Sequence, residues 1–408
     1  MTTLLSPAQY ERLCCLVYLD EILDYCCSLN LHDICNNILP HIKQSDKLEA
    51  DNKQVLTDIM TDEKLSDLTI ADFMDIPLSY GGSDQTPGQR IVTFTDGING
   101  YIIIRGTHGD VQWADNGRRM YKAETPELLQ AESYVLKQAE KFRKVGIAGH
   151  SGGGNKVQYI YIKNPVIAEC LALDGEGFSI EFCEKYPELI DARAQGITSI
   201  AERRDIVNGL GITLSLPLYF SGKRGETRLP EYFFGEPLPN FHIPDALRNK
   251  DNEIIDQAER SYISELINAI TVFLLTSPEY ASRKQFLCDT LVSLMMTETK
   301  TDKNKQALAI AEVVSAAFEI ASNDKEFTEL FRDTLINERR VIRATIAEYS
   351  EAGIIDLIKG AMHHTLHKYN PNKTGVEQIA NALPEITKDE PDGLFEKIFK
   401  DLKEIYSF

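Results

Sequence analysis

The sequence predicts an α/β fold: a mostly parallel sheet with helices on both faces, followed by an all-α C-terminal region. Three observations predict it. Between about residues 91 and 202, short strand-like runs alternate with amphipathic helical stretches, the pattern of a parallel sheet covered on both sides. The strand runs are continuously apolar, as in "VGIA", Val145 to Ala148, which suits burial on both faces. From about Asp251, apolar residues recur at helical spacing with no strand-like run between them. The 408 residues therefore divide into 1–250 and 251–408.

Taken in order, residues 1–75 read as helices. "LSPAQYERLCCLVYLDEIL" places Ser6 at an N-cap and Pro7 at the first helical position, with Leu13, Leu16, Val17 and Ile22 as an apolar stripe. "LSYGGSDQTPGQ" shifts to Gly, Ser and Pro and reads as a loop. Ile91–Thr95 and Tyr101–Arg105 flank Asp96-Gly97-Ile98-Asn99-Gly100 and read as a hairpin. "TPELLQAESYVLKQAEKF" is an amphipathic helix with Thr125 as cap and Pro126 just inside. A strand over 145–149, a helix after Ser151, the strand "IAECLALDG", the helix "SIEFCEKYPELI" and the strand "GITSIAE" complete the series. In the C-terminal region, Ser277-Pro278 opens one helix, and Asn323 or Asp324 caps another. Stripes such as Ile267, Ile270, Leu274 and Leu275 read as the core of a bundle.

Hydrophobic residues make up 43% and charged residues 26%, which is ordinary globular composition. The net charge of −19 argues against nucleic acid as a partner and against spontaneous docking on anionic lipid. It leaves an uncharged or zwitterionic substrate, and other membrane contact, open. The N-terminus lacks a basic stretch before an apolar core, and Glu11 and Arg12 interrupt it early. The longest apolar run, near "INAITVFLL", is about half a membrane span. A soluble cytoplasmic protein is expected, with signal-independent export left open. Five of the eight cysteines fall between Cys14 and Cys35: two adjacent pairs, Cys14-Cys15 and Cys26-Cys27, and Cys35 alone, without C-x-x-C spacing. They read as buried reduced thiols rather than metal ligands or a disulfide framework. No cofactor is called for.

The most informative stretch is "VGIAGHSGGGNKVQYIYI", where a buried strand ends in Gly149-His150-Ser151-Gly152-Gly153 and a helix begins. A serine in G-x-S-x-G suits a nucleophile elbow. The flanking glycines leave room for a tight strand-to-helix turn, and the helix directs its free N–H groups at charge forming beside the serine. The alternative is a glycine-rich turn that merely closes a parallel strand.

Upstream, a buried strand ends in Arg105-Gly106-Thr107, which resembles the oxyanion-loop signature of class 3 (fungal-type) lipases. Trp113 and Asn116 follow it, "TPELLQAESYV" precedes the elbow, and "LDGEGFS" stands where an uncharacterised bacterial family of lipase-like α/β hydrolases usually has Asp-Gly-Pro-Gly-Phe. "IAERRDIVNGL" is similar to that family's acid-bearing segment. The resemblance covers roughly residues 85–245. It implies an α/β-hydrolase fold with a Ser, Asp, His chain order. Ser151 would be the nucleophile, Asp205 the acid and His242, in the proline-flanked loop "LPNFHIPDAL", the base. The backbone N–H groups of Thr107 and Gly152 would form the oxyanion hole.

Asp174 competes with Asp205, since it too follows a strand, but its "DGEGF" context reads as a turn. His150 reads as packing under the elbow, His108 as an exposed loop residue, and Trp113 and Tyr121 as packing groups after the oxyanion loop. In "AMHHTLHKY", His363 and His367 share a helix face, but no H-E-x-x-H glutamate or third ligand accompanies them. A solvated face is the preferred reading. The expected function is thus a serine acyl hydrolase, esterase- or lipase-like, acting on a small-molecule or lipid-like ester. The rival expectation is a non-catalytic hydrolase-fold module, with a protein partner docking on the C-terminal helices. These helices also suggest a lid over the site.

Overall fold

The computed structural model describes residues 4–42, 49–78, 86–222, 242–249, 251–254, 257–351, 353–365, 368–369 and 372–380. Several expectations lie outside them: the loop "LSYGGSDQ" over most of its length, the start of "LPNFHIPDAL", His367, the side chain of His363 and the C-terminal tail. The chain divides into two compact units. One holds Met1–Asn208, Ile212–Lys223 and Phe241–Glu259, and the other holds Gly209–Gly211 and the chain from Arg260.

In the first unit, helices α1 (Pro7–Leu16), α2 (Leu31–Ile38) and α3 (Glu49–Thr61) precede a seven-stranded sheet. Its strands are β1 (Thr69–Leu78), β2 (Thr86–Thr95), β3 (Gly100–Ile104), β4 (Val145–His150), β5 (Glu169–Leu173), β6 (Ile197–Glu202) and β7 (Leu218–Phe220), side by side in chain order. The β1–β2 and β2–β3 pairs are antiparallel, and every pair from β3 to β7 is parallel. Between the strands run α4 (Asp110–Arg119), α5 (Pro126–Ala139), α6 (Gly152–Lys163), α7 (Ile180–Lys185) and α8 (Pro187–Arg193).

Side-chain alternation sorts the parallel strands onto two cores. Tyr101, Ile103, Ala148, Leu171 and Leu173 face a core shared with Leu13, Leu16, Ile34 and Leu56 of the N-terminal helices. Ile102, Ile104, Val145, Ile147, Cys170 and Ala172 face a second core with Val135 of α5 and Val157 and Ile160 of α6. Covering both faces is what makes these strands apolar throughout rather than alternating.

Most local signals hold. Ser6 caps α1 through a reciprocal capping box with Gln9, and Thr125 caps α5 by accepting from the N–H of Leu128. The β2–β3 hairpin turns at Asp96, whose carboxylate accepts from the N–H groups of Ile98 and Asn99. Four expectations need correction. Residues 69–75 are not helical but part of β1, whose alternation is broken by bulges at Ile70/Asp72 and Ile76/Leu78. β2 extends back to Thr86, into the stretch read as loop, because β1 supplies its hydrogen-bonding partner. A further strand, β7, follows β6. The single helix expected over "SIEFCEKYPELI" is two, because Pro187 lacks an N–H and forces Tyr186 out of helical geometry, to φ −127°, ψ 39°.

In the second unit, the described residues from Tyr262 to Ala380 form helices and no strand. Ile270, Leu274, Leu287, Ala311, Phe318, Phe327, Ile354 and Met362 share one core, so the expected bundle stripe is buried at Ile270 and Leu274. Asp324, rather than Asn323, caps the helix Lys325–Asn337. No helix among the described residues is long and apolar enough to cross a membrane.

Candidate active site

Ser151 stands between the end of β4 and the start of α6, with φ 58° and ψ −128°. A non-glycine residue in this region is strained by about 1–3 kcal/mol. The surroundings hold it there. Its N–H donates to the carbonyl of Leu173 at 2.8 Å, and its own carbonyl accepts from Asn155. The flanking glycines are obligatory on steric grounds. A Cβ at Gly149 would run into the backbone of Gly153, and a Cβ at Gly153 into the carbonyl of Ile104. The strand, turn and helix pack too closely there for any side chain.

Asp205 lies in the turn after β6. Its carboxylate accepts from the N–H groups of Val207 and Asn208 and from the Asn208 amide, all at 3.1 Å. His242 completes the chain: Nδ1 lies 2.9 Å from Asp205 Oδ1, and Nε2 lies 2.8 Å from Ser151 Oγ. The ionised carboxylate only accepts, so Nδ1 carries the hydrogen, Nε2 is the free base, and the serine hydroxyl donates to it. All three are buried, Ser151 at 2% exposure. The segment after His242 is anchored on α1, where the Arg12 guanidinium donates to Asp245 at 2.8 Å. The structure therefore brings together three residues spread over 91 positions of sequence.

Thr107 and Gly152 also meet. A Cβ built on Gly152 would fall 2.6 Å from the Thr107 hydroxyl oxygen, and one on Gly106 would fall 3.0 Å from Ser151 Cβ. As the first residue of α6, Gly152 has an N–H with no acceptor inside its helix. Thr107 and Gly152 are thus neighbours beside the turn that carries Ser151.

Asp174 does not touch His242's ring nitrogen; Asp205 does. His150 is fully buried under the elbow. Its Nδ1 lies 2.7 Å from the Tyr18 hydroxyl, which accepts from the N–H of Gly106. Burial, then the neighbouring His242, push the His150 imidazole well below its usual range, so it is neutral. His108 is exposed, and Trp113 is buried at 5% exposure. Tyr18, from the segment after α1, is a neighbour of the site for which the sequence carried no signal.

A buried polar network surrounds Thr107 and Gly152, and sequence reasoning missed its extent. The Asn116 amide donates to the Thr107 hydroxyl at 2.8 Å and to Glu176 at 2.5 Å. Arg119 donates to the Gly152 carbonyl at 3.1 Å and to Asn155 at 3.0 Å, and pairs with Glu176 at 3.3 Å. Lys156 pairs with Glu127 at 2.6 Å. Asp115 accepts from the Thr125 hydroxyl and lies 3.4 Å from Arg119 Nε. Burial and then Glu127 push the Asp115 carboxyl up to about 6. The one available signal was Glu176, a charged residue where the resembled family has proline.

The only group of described acidic and thiol side chains with metal-like proximity is Glu11, Cys15 and Asp245, the two carboxylates buried and the thiol half-buried. Arg248 donates to Glu11, and Arg12 to Asp245, so these carboxylates are already matched by guanidinium groups. No protein-family model, curated protein or solved structure matches this chain.

Proposed function

We propose that this protein is a serine acyl hydrolase of the α/β-hydrolase type, esterase- or lipase-like, that cleaves a carboxylic ester through an acyl-enzyme. The carrying observation is the unbroken hydrogen-bonded chain from Ser151 Oγ through His242 to Asp205, with the serine held in a strained elbow. His242 takes the hydroxyl proton as Ser151 attacks the ester carbonyl. The N–H groups of Gly152 and Thr107 stabilise the oxyanion, a contribution of about 3 kcal/mol per donor. His242 then hands the proton to the leaving alcohol and activates a water that releases the acyl group. Asp205 keeps the imidazole in its reactive tautomer throughout.

Ester rather than amide substrates follow from the resemblance to lipases, as does a small or lipid-like acyl compound. Cytoplasmic residence belongs to the same proposal and is supported by eight cysteines that are all free thiols.

The test is covalent labelling with a fluorophosphonate. The wild-type protein is expected to label, Ser151→Ala to lose the label, and hydrolysis of a p-nitrophenyl ester to vanish with it. A folded protein that neither labels nor hydrolyses would instead be a hydrolase-fold binding module.

A further inference from the structure

Three carboxyls are buried side by side at the C-terminal edge of β5 and β6: Asp174, Glu202 and Asp205, each at 0% exposure. Two of them are matched. Glu202 accepts from the Arg204 backbone N–H at 2.6 Å and from its guanidinium at 2.7 and 3.0 Å. Asp205 accepts from His242, Val207 and Asn208. Asp174 has much less. Its Oδ1 accepts from the N–H of Glu202 at 2.7 Å, but its Oδ2 meets no donor among the described residues.

The charged groups that act most strongly on Asp174 are Asp205 and Glu202, both carboxyls, and its side chain lies within hydrogen-bonding reach of that of Asp205. Two carboxylates share a hydrogen bond only if one of them holds a proton. Glu202 has a guanidinium and Asp205 an imidazole N–H, so the proton belongs on the carboxyl with the fewest donors. Asp174 is also held at φ 45°, with its N–H fixed on the Ile200 carbonyl at 2.9 Å. That is a costly backbone for an aspartate, kept where the side chain meets Asp205.

We propose that Asp174 is a neutral carboxylic acid whose O–H donates to the Asp205 carboxylate, making it a positioning residue for the triad acid. Burial and the adjacent Asp205 and Glu202 favour the neutral form in the same direction. A carboxyl held neutral in this way serves as a hydrogen-bond donor. It orients Asp205 toward His242 without adding a second negative charge beside the imidazole. The inference rests on reading Ser151, His242 and Asp205 as a working triad.

The experiment has two arms. Infrared difference spectra are recorded between Ser151→Ala protein and the same protein carrying Asp174→Asn, so that no activity is needed. Loss of one protonated-carboxyl C=O band at neutral pH is expected, and its absence overturns the proposal. The second arm, run once the wild type is seen to label and turn over, follows kcat/KM against pH. Asp174→Ala is expected to lower kcat about tenfold, a loss of one hydrogen bond, with KM little changed. Asp174→Asn, whose amide can donate to Asp205, restores kcat to within about threefold and leaves the acidic limb in place. A limb that moves to lower pH in Asp174→Asn shows that a negative charge was removed, which overturns the proposal. Equal damage in the two variants, or none in either, overturns it as well. A wild type that never labels defeats the triad reading instead, while the infrared arm still decides the proton.

Discussion

Ser151, Asp205 and His242 each depend on a different local device. The serine depends on two glycines with no room for a methyl group, the aspartate on a turn that turns its backbone N–H groups inward, and the histidine on an anchored loop. Asp205→Asn preserves size but presents an amide to N–H donors that need an acceptor, and the imidazole loses its reactive tautomer. A fall in kcat of roughly 10³- to 10⁴-fold is expected in steady-state ester hydrolysis. Gly153→Ala drives a methyl group into the backbone of Ile104 and Arg105, which belongs to the sheet edge and cannot yield. Overpacking of this kind is expected to cost about 1–3 kcal/mol in urea unfolding and to abolish labelling. The motif around Ser151 was legible in the sequence because its constraints are local. The order Ser, Asp, His was not local in this sense and was implied only by the resemblance. Tyr18 was not legible, since nothing near position 18 shows that its hydroxyl reaches the N–H of Gly106.

At the scale of elements, α4, α5 and α6 share a buried cluster of charges, beside the apolar core in which α5 and α6 also meet. Arg119 and Lys156 face Asp115, Glu127 and Glu176, so the cations are outnumbered by one carboxyl. Asp115 responds by binding its proton more tightly. Its acidity shifts from 3.8 in an exposed chain to about 6 when folded. At this group the folded state then binds more protons between about pH 4 and pH 6, and its contribution to stability falls as pH rises through that window. Asp115→Asn is expected to flatten this part of the stability-against-pH curve, measured by urea unfolding at fixed ionic strength; an unchanged slope would contradict it. Other elements show where pattern reading fails. β1 hid within a stretch read as helical because its two bulges break the period of two. The burial of Asp115, Glu127 and Lys156 left no mark on the pattern, because periodicity records polarity, not burial.

At the scale of the whole molecule, the proposed catalytic groups all belong to the first compact unit, although His242 returns to it from late in the chain. The net charge of −19 makes a further expectation testable: binding to phosphatidylserine vesicles at physiological salt should be indistinguishable from a buffer control in cosedimentation. What the sequence by itself determined is whatever depends on neighbours along the chain: helix caps, the hairpin turn, the apolar strands and the glycine-framed serine. Steric fit and hydrogen bonding within a few residues settle these before any tertiary contact forms. Only the tertiary structure decided which aspartate meets His242, that Asp174 lies behind it, and that Asp115 and Lys156 are buried. Those outcomes depend on desolvation and on charges brought close by distant segments. A carboxyl's proton affinity is set by what surrounds it in space, which its position in the chain does not specify.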